Sequence, residues 1–140
     1  MSYVVDCSII IRLLAARRED DLLRRRLMRR VHAPTLLDAE VSSVVRGLSI
    51  TSKPNVRISE QRARTMLDRY QGLHITRHPM TPLQLRVHEL RDNLTAYDAM
   101  YITLAEALDL PLLTDDAKLA KAAGHRAQIL HYPQDVTPSP

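Results

Sequence analysis

The sequence contains no tryptophan and no phenylalanine, and only three glycines and one cysteine occur among its 140 residues. Without these two aromatic residues, a folded core must be built from Leu, Ile, Val, Ala and Met. The single Cys7 excludes an internal disulfide and a zinc site made of several cysteines. Three glycines are too few for a glycine-rich phosphate-binding loop. The chain therefore lacks the signatures of disulfide-rich, cysteine–zinc and P-loop proteins.

Long apolar segments are also missing. A membrane-spanning helix needs about 20 consecutive apolar residues, and the uninterrupted apolar stretches here fall far short of that length. The start, Met1-Ser2-Tyr3, has no basic segment followed by an apolar run, so we expect no secretory signal. We expect a soluble, cytoplasmic protein that does not associate with a membrane.

What the chain does have is enough apolar residue to fold as one domain. Hydrophobic residues make up 45% of the sequence, which argues against disorder. No internal repeat, linker or low-complexity block interrupts it. We expect a single domain over residues 1–135 and a disordered tail over residues 136–140, where proline, serine and threonine dominate.

The charge is basic, with a formal net charge of +4, and arginine outnumbers lysine. Seven arginines lie between Arg17 and Arg30. Guanidinium groups match phosphate oxygens, so this run indicates nucleic acid as a partner, with Arg24, Arg25 and Arg29 as candidate contacts. The alternative, a solvated helix face that only solubilises the protein, stays open.

Strand-like and helix-like patterns alternate along the chain, which predicts an α/β fold with a parallel sheet. We predict strands at residues 2–6, 73–76, 110–114 and 127–132. A short extended link is expected at residues 32–34. A first helix is predicted to begin after Ser8, its N-cap. Another is capped by Thr95, with Tyr97, Tyr101, Leu104 and Leu108 facing inward. The other predicted helices span residues 19–31, 37–48, 59–72, 83–94 and 117–123.

Four carboxylates are candidates for a shared site. Asp6 and Asp116 each follow a short apolar run, whereas Glu40 and Asp98 fall inside helical patterns. In open parallel sheets the functional crevice lies outside the carboxyl ends of the strands. Buried carboxylates cost several kcal/mol unless a cation neutralises them. Because no Lys or Arg regularly accompanies these four, a divalent metal is the economical partner.

Helical neighbours separate these acids from others. Asp98 and Glu40 have apolar residues at most of the offsets of three, four or seven, so both should lie on or beside a buried stripe. Asp68 and Asp92 have mainly polar neighbours at these offsets and should face solvent. Taken singly, each acid can also be a helix cap, a turn residue or a salt-bridge partner.

Several carboxylates in one crevice repel each other, and a hard divalent ion relieves that repulsion. Mg²⁺ accepts one or two protein carboxylates, keeps several waters and bridges to phosphate oxygens. It can lower the pKa of a bound water and offset charge on the phosphorus and the leaving oxygen. This chemistry indicates phosphodiester hydrolysis.

Four segments together resemble a known family. They are Val4-Val5-Asp6-Cys7-Ser8, Ala33-Pro34 running into Ala39-Glu40-Val41, Leu94-Thr95-Ala96-Tyr97-Asp98-Ala99-Met100-Tyr101, and Leu112-Leu113-Thr114-Asp115-Asp116. In order and spacing they resemble PIN-domain ribonucleases and, more narrowly, the VapC toxins of type II toxin–antitoxin pairs. The resemblance covers nearly the whole chain and implies a PIN-like three-layer sandwich with a mostly parallel central sheet.

By this resemblance, Asp6, Glu40, Asp98 and Asp116 form the catalytic acidic site. Asp6, Asp98 and Asp116 are the implied ligands of Mg²⁺, with Mn²⁺ as a substitute. Asp38 lies two residues before Glu40 but points to a different helix face, so Glu40 is preferred.

Supporting roles follow from the same resemblance. Ser8 and Thr114 would hydrogen-bond the acids or metal-bound waters, and Asn93 would line the site. Asp115 occupies a variable position of the Thr-x-Asp motif, so it could compete with Asp116 as the fourth acid. The sequence leaves that choice open.

The resemblance also implies an activity and partners. These are Mg²⁺-dependent endoribonuclease cleavage of structured RNA, often tRNA or rRNA, a VapB-type antitoxin covering the acidic groove, and a toxin homodimer that forms a heterotetramer or larger complex with the antitoxin.

Two other functions remain as alternatives. One is a PIN-like domain that binds a partner without catalysis. The other is a receiver-like phosphoacceptor domain, which should have a lysine late in the chain outside a helix, whereas Lys118 and Lys121 fall on a predicted helix. Cys7 is interpreted as a packed small residue rather than a nucleophile.

Overall fold

The computed structural model describes residues 2–27 and 29–136, and in this part of the chain five strands form one all-parallel sheet. The strands are β1 (Val4–Val5), β2 (Val31–Pro34), β3 (Ile75–His78), β4 (Leu112–Thr114) and β5 (Ile129–His131). Their order across the sheet is β3-β2-β1-β4-β5. The predicted α/β class with a parallel sheet is confirmed.

The α-helices cover both faces of this sheet. They are α1 (Cys7–Ala15), α2 (Asp21–Arg26), α3 (Leu36–Ile50), α4 (Glu60–Gln71), α5 (Gln84–Glu89), α6 (Ala96–Leu108) and α7 (Ala117–Ala120), with 3₁₀ turns at Arg18–Asp20 and Thr81–Leu83. One apolar cluster joins the sheet to α1–α4 and a second joins it to α5–α7. The fold is therefore a three-layer α/β/α sandwich.

Alternation along the strands divides the core between these two clusters. Val4 packs in the α5–α7 cluster and its neighbour Val5 in the α1–α4 cluster; Leu112 and Leu113 divide in the same way. Both faces are buried, which explains why these strands are continuously apolar rather than alternating with polar residues. Aliphatic side chains and tyrosines fill the space where larger aromatics are absent.

The strand order places the candidate site. From β1 the chain builds β2 and β3 on one side, then returns to add β4 and β5 on the other. The carboxyl ends of β1 and β4 thus meet where the winding direction reverses, which is the usual position of a ligand crevice in such sheets. Asp6 directly follows β1, and Asp115 and Asp116 directly follow β4.

Several local predictions are confirmed by cap geometry. The Ser59 side chain accepts a hydrogen bond from the Arg62 amide and begins α4, and Gly72 ends that helix. The Thr95 side chain accepts from the Asp98 amide and begins α6. These are short-range signals, because the hydrogen bonds join residues three apart.

The prediction of one helix over residues 19–31 is wrong. Among the described residues of this segment, α2 is the only α-helix after the 3₁₀ turn. Val31 begins β2 and pairs with Ile75 of β3. His32 to Pro34, predicted as a link, belong to the same strand. This segment is a strand because it pairs in parallel with β1 and with β3, which is distant in sequence. Local residue propensities do not reveal such pairing.

Smaller corrections concern Ser8 and Tyr97. The N-cap of α1 is Asp6 rather than Ser8, because the Asp6 carboxylate accepts the hydrogen bond from the Ile9 amide. Tyr97, predicted to face inward, is 62% exposed. It lies in the first turn of α6.

Two further predictions concern the ends and the membrane. Val136 packs partly against the core. Residues 137–140 lie outside the described part of the chain, so the disordered tail there stays a prediction. Within the described residues, none of the helices combines the length and apolarity that crossing a bilayer requires.

Candidate active site

Asp6 stands at the centre of the crevice and is only 6% exposed. Its Oδ1 accepts hydrogen bonds from the Ser8 hydroxyl at 2.6 Å and from the Ile9 amide at 3.2 Å. Its Oδ2 accepts from the Thr114 hydroxyl. Burial raises the pKa of Asp6 to about 6 despite these donors, and the charge of Asp116 adds to the increase.

Hydrogen bonds fasten the end of β4 to the end of β1. The Thr114 hydroxyl, which donates to Asp6, accepts from the Asp116 amide at 3.0 Å. The Ser8 hydroxyl likewise accepts from the Asp115 amide at 3.0 Å. Ser8 and Thr114 therefore each join Asp6 to the backbone that carries the acidic pair, and this fixes both strand ends in one arrangement.

Helices α3 and α6 bring two more carboxylates to the crevice. Glu40 on α3 accepts a hydrogen bond from the Tyr101 hydroxyl of α6. Burial raises the pKa of Glu40, the bond from Tyr101 lowers it, and the charge of Asp98 raises it again. Burial and the charge of Asp116 raise the pKa of Asp98 in the first turn of α6. Asp6, Asp116, Asp98 and Glu40 thus form a chain of mutually repelling neighbours.

The structure distinguishes Asp115 from Asp116. The Asp115 carboxylate is paired with Arg12, whose Nε donates to Oδ2 at 2.7 Å. Asp116 caps α7 by accepting from the Lys118 amide, and its charge acts on both Asp6 and Asp98. This contrast favours Asp116 as the fourth acid.

Asp38 and the exposed acids lie apart from this group. Asp38 is held by Arg77 at 2.9 Å and by the Tyr70 hydroxyl at 2.6 Å, on the β3 side of α3. Asp68 and Asp92 are exposed, as their neighbours predicted. Of the two acids in the first half of α3, Glu40 is the one that reaches the crevice.

The remaining predicted residues lie farther out. The Asn93 amide group is close to Gly124, because a Cβ added at that glycine would meet Nδ2 at 2.5 Å. Arg24 is paired with Asp21, while Arg25 and Arg29 are exposed on α2 and the segment after it. The structure shows none of these four side chains in contact with the acids, within the described residues, and their roles stay predictions.

Two residues of the site were not predicted. Arg12 holds Asp115 and also contacts Asp20 through Nη1 at 3.1 Å. Tyr101 holds Glu40, and its pKa is raised far above the ordinary tyrosine value, first by burial, so it remains a proton donor. Helical spacing could have indicated both, since Arg12 is one turn after Ser8 and Tyr101 is three residues after Asp98.

Cys7 lines the same region but is not activated. Burial, followed by the charges of Glu40 and Asp6, raises the pKa of the Cys7 thiol to about 12. A reactive cysteine needs the opposite shift. The interpretation of Cys7 as a packed side chain agrees with this environment.

The donor set fits a hard divalent cation. Asp6, Glu40 and Asp98 all have raised pKa values in the absence of a cation, because burial and like charge disfavour their ionised forms. Over residues 2–27 and 29–136, no group of three or more His, Cys, Asp or Glu side chains is arranged to hold a metal ion as it stands. Mg²⁺ does not require one, because it commonly binds one or two carboxylates and keeps its waters.

Comparisons with known proteins agree with this architecture. A family model described as PIN domain matches residues 3–125. Ribonuclease VapC1 of Mycobacterium tuberculosis is 39% identical over 129 residues, covering 90% of this chain and 94% of that protein. VapC ribonuclease Mb0985 of Mycobacterium bovis is 36% identical over 132 residues, covering 94% and 98%. The crystal structure of PAE2754 from Pyrobaculum aerophilum has a similar fold, with a TM-score of 0.64, 24% identity and 86% coverage of both chains.

Proposed function

This chain belongs to the PIN-domain family, with VapC ribonucleases among its relatives, and we propose that it is the toxin of a type II toxin–antitoxin pair. Its activity is Mg²⁺-dependent hydrolysis of internal phosphodiester bonds in structured RNA, with tRNA or rRNA as the target. Mn²⁺ substitutes for Mg²⁺. The protein acts in the cytoplasm.

The observation that carries the proposal is the gathering of four carboxylates from four elements at the β1/β4 switch point. Their like charges act on one another. A purely structural set of acids would be matched with arginines, as Asp38 and Asp115 are. The unmatched set is suited to hold a cation.

Asp6, Asp98 and Asp116 are the residues that would hold the metal. When bound, the divalent ion supplies Lewis-acid stabilisation of the negative charge that develops at the phosphate. Ser8 and Thr114 keep both oxygens of Asp6 in a fixed orientation. This preorganisation limits the rearrangement that the site needs during reaction.

Glu40 is the group suited to move a proton. Tyr101 donates to Glu40 Oε1, so Oε2 is the oxygen that can accept a proton from an attacking water. The raised pKa of Glu40 brings its basicity closer to neutral pH, where a general base works best. Tyr101 is then a positioning residue that orients this carboxylate.

Basic residues outside the crevice assist the approach of RNA. An acidic site repels phosphate before a cation is bound, whereas the net charge of +4 attracts a polyanion. Arg24, Arg25 and Arg29 provide such charge on and after α2. A VapB-type antitoxin covers the acidic groove, and the toxin forms a homodimer within a heterotetramer or larger complex.

The direct test is cleavage of total RNA by purified protein with Mg²⁺ and with EDTA. We expect fragments only with Mg²⁺, and none with Asp98→Asn. Asp92→Asn is the matched control, because Asp92 is an exposed acid outside the crevice, and it should cleave like the wild type. Cleavage by Asp98→Asn at the wild-type rate would overturn the proposal.

The same assay separates the alternatives. A non-catalytic partner-binding domain would give no Mg²⁺-dependent fragments with any variant. A receiver-like domain would instead take up phosphate from a small phosphodonor, and the position of Lys118 on the exposed side of α7 argues against that mechanism.

A further inference from the structure

A cavity of about 480 Å³ opens beside the acids, between α1, the 3₁₀ turn at Arg18–Asp20 and α3. Small-molecule sites usually measure about 300–1,000 Å³, so the cavity is large enough for one nucleotide. It shares Ser8, Glu40 and Asp115 with the acid crevice. A ligand in it would therefore be adjacent to a phosphodiester held at the acids.

The walls of the cavity are apolar. Cys7, Ile11 and Ala15 follow one another at intervals of four residues, so they form one face of α1, and Val44 of α3 also lines the cavity. Val44 is 37% exposed, although it is aliphatic and lies in the middle of a helix. These side chains offer a surface for a flat, weakly polar group.

The rim of the cavity is charged. Arg17 lines it with a side chain that is 68% exposed, and its pairing with Glu19 at 3.6 Å is a loose surface contact. Exposed pairs of this kind hold a side chain weakly, so Arg17 can turn to a phosphate. Asp20 also borders the cavity, and its Oδ2 has no hydrogen-bond partner within the described part of the chain. That oxygen is enclosed by protein atoms, so a ligand in the cavity would meet the apolar walls and Arg17 rather than Asp20 Oδ2.

We propose that this cavity binds the nucleotide next to the scissile phosphodiester of the RNA substrate. Its base lies against Ile11 and Val44, and its outer phosphate is paired with Arg17. A nucleotide matches two features of this cavity, because its flat base suits the apolar walls and its anionic phosphate suits Arg17. The proposal rests on the proposed ribonuclease function and assigns the residues that position the substrate chain.

Binding can be measured without turnover. In EDTA, 5′-mononucleotides are titrated into ¹⁵N-labelled protein and followed by NMR. We expect saturable shifts of the Ile11, Ala15 and Val44 amides, and weaker binding of adenosine at the same residues. Arg17→Gln should weaken AMP binding severalfold and leave adenosine binding unchanged. Arg18→Gln, an exposed arginine outside the cavity, is the matched control and should bind AMP like the wild type.

Inorganic phosphate alone provides the contrasting arm of this titration. If phosphate reproduces the whole pattern of shifts and adenosine produces none, the site binds anions only and the base position is wrong. Shifts confined to residues outside the cavity would also overturn the proposal.

A kinetic test uses Val44→Asp with labelled RNA and Mg²⁺. A carboxylate on this wall should repel the substrate, raising KM about five- to tenfold, in the range expected for losing one base contact. Val56→Asp is the matched control, because Val56 is a similarly exposed valine in a loop outside the cavity. Equal KM values for the two variants would contradict the proposal.

The two proposals fail in different ways. If the wild type does not cleave RNA at all, the ribonuclease function fails. If it cleaves RNA but the nucleotide shifts or the Val44→Asp effect are absent, only the cavity assignment fails. If Val44→Asp keeps its KM but loses binding to a VapB-type protein, the cavity is an antitoxin contact instead.

Discussion

Asp6 combines two opposing influences in one side chain. Three donors stabilise its ionised form, but burial and the charge of Asp116 act against ionisation, and the net effect raises its pKa from 3.8 to about 6. A group whose pKa is higher in the folded state contributes stability at low pH and loses it as the pH rises through that value. At about 1.4 kcal/mol per unit, an ionised Asp6 costs the apo protein at most about 3 kcal/mol.

Asp6→Asn should therefore remove a pH-dependent cost. In EDTA we expect the free energy of unfolding of the wild type to fall between pH 4 and pH 7, and that of Asp6→Asn to fall less. The variant should be the more stable protein at pH 7. Urea unfolding across this pH range measures both curves, with Asp92→Asn as the control. If the free energies of unfolding of Asp6→Asn and of the wild type depend on pH in the same way, ionisation of Asp6 does not destabilise the folded protein.

The adjacent acids after β4 should behave differently. Asp116→Asn removes a carboxylate that acts on both Asp6 and Asp98, so we expect RNA cleavage to fall at least a hundredfold. Asp115→Asn removes only the partner of Arg12, and cleavage should stay within about threefold of the wild type. Single-turnover rates on one labelled RNA compare the two. The reverse order of effects would assign the fourth acid to Asp115.

At the residue scale, the sequence indicated which acids lie in the crevice but not the residues that hold them, and the catalytic role of those acids stays a prediction. Asp6, Glu40, Asp98 and Asp116 stand out because each breaks an apolar pattern, and the structure brings them together. Arg12 and Tyr101 were missed because they bind Asp115 and Glu40, which are distant in sequence. Their helical spacing from Ser8 and Asp98 was the one local signal for them. Tyr97 was misplaced because helical periodicity does not reveal where the neighbouring layer ends.

At the element scale, the first turn of α6 links a helix cap to the site. Thr95 accepts the hydrogen bond of the Asp98 amide, so the cap and the proposed metal ligand share one turn. Ser59 caps α4 in the same way at a helix outside the crevice. The two caps therefore form a natural pair for separating stability from catalysis.

We expect Thr95→Ala and Ser59→Ala to cost similar stability, about 1 kcal/mol each. Only Thr95→Ala should also lower kcat, by severalfold, because the turn that carries Asp98 loses its anchor. Thermal unfolding and RNA cleavage measured on the same preparations compare the variants. If Thr95→Ala loses the expected stability but keeps the wild-type kcat, the cap does not contribute to catalysis and the prediction is wrong.

Elements with local stop and start signals were predicted well, and those fixed by pairing were not. The first and last residues of α4 follow from Ser59 and Gly72, whose capping hydrogen bonds join residues only a few positions apart. In contrast, β2 is a strand because it lies between β1 and β3. Its sequence, Val-His-Ala-Pro, contains a proline and only one β-branched residue, so no propensity argument could identify it.

At the scale of the whole molecule, the C-terminal strand is tied to the N-terminal helices through one buried group. Asp20 is fully buried, and its Oδ1 accepts from the Tyr132 hydroxyl at 2.6 Å and from Arg12 at 3.1 Å. The Arg12 guanidinium also lies over the Tyr132 ring, 5.1 Å from its centre. The same arginine holds Asp115, so this network extends from β5 to the rim of the site.

Tyr132→Phe removes one donor and leaves Asp20 dependent on Arg12. A hydrogen bond to a charged group contributes about 1.5–3 kcal/mol, and we expect a loss of that size in urea unfolding. Tyr97→Phe is the control, because that ring is exposed, and it should change stability by less than about 0.5 kcal/mol. Equal stabilities for the two variants would show that the Tyr132 hydroxyl is dispensable.

The overall architecture was predictable because it follows from the hydrophobic pattern of the whole chain rather than from any single segment. Continuous apolar strands alternating with amphipathic helices favour a parallel sheet covered on both faces, and a switch point in such a sheet collects the ends of its central strands. The order β3-β2-β1-β4-β5 itself is not written in any local pattern. It determines that Asp6 and Asp116, more than a hundred residues apart in sequence, repel each other across one crevice.

The central claim is that this crevice binds a divalent metal through Asp6, Asp98 and Asp116. Its most direct test is a crystal structure of the protein soaked with Mn²⁺, with anomalous scattering used to locate the ion. We predict an anomalous peak coordinated by at least two of these three carboxylates, and loss of that peak in Asp6→Asn crystals. A peak elsewhere on the protein, or none at millimolar Mn²⁺ in well-ordered crystals, would contradict the account.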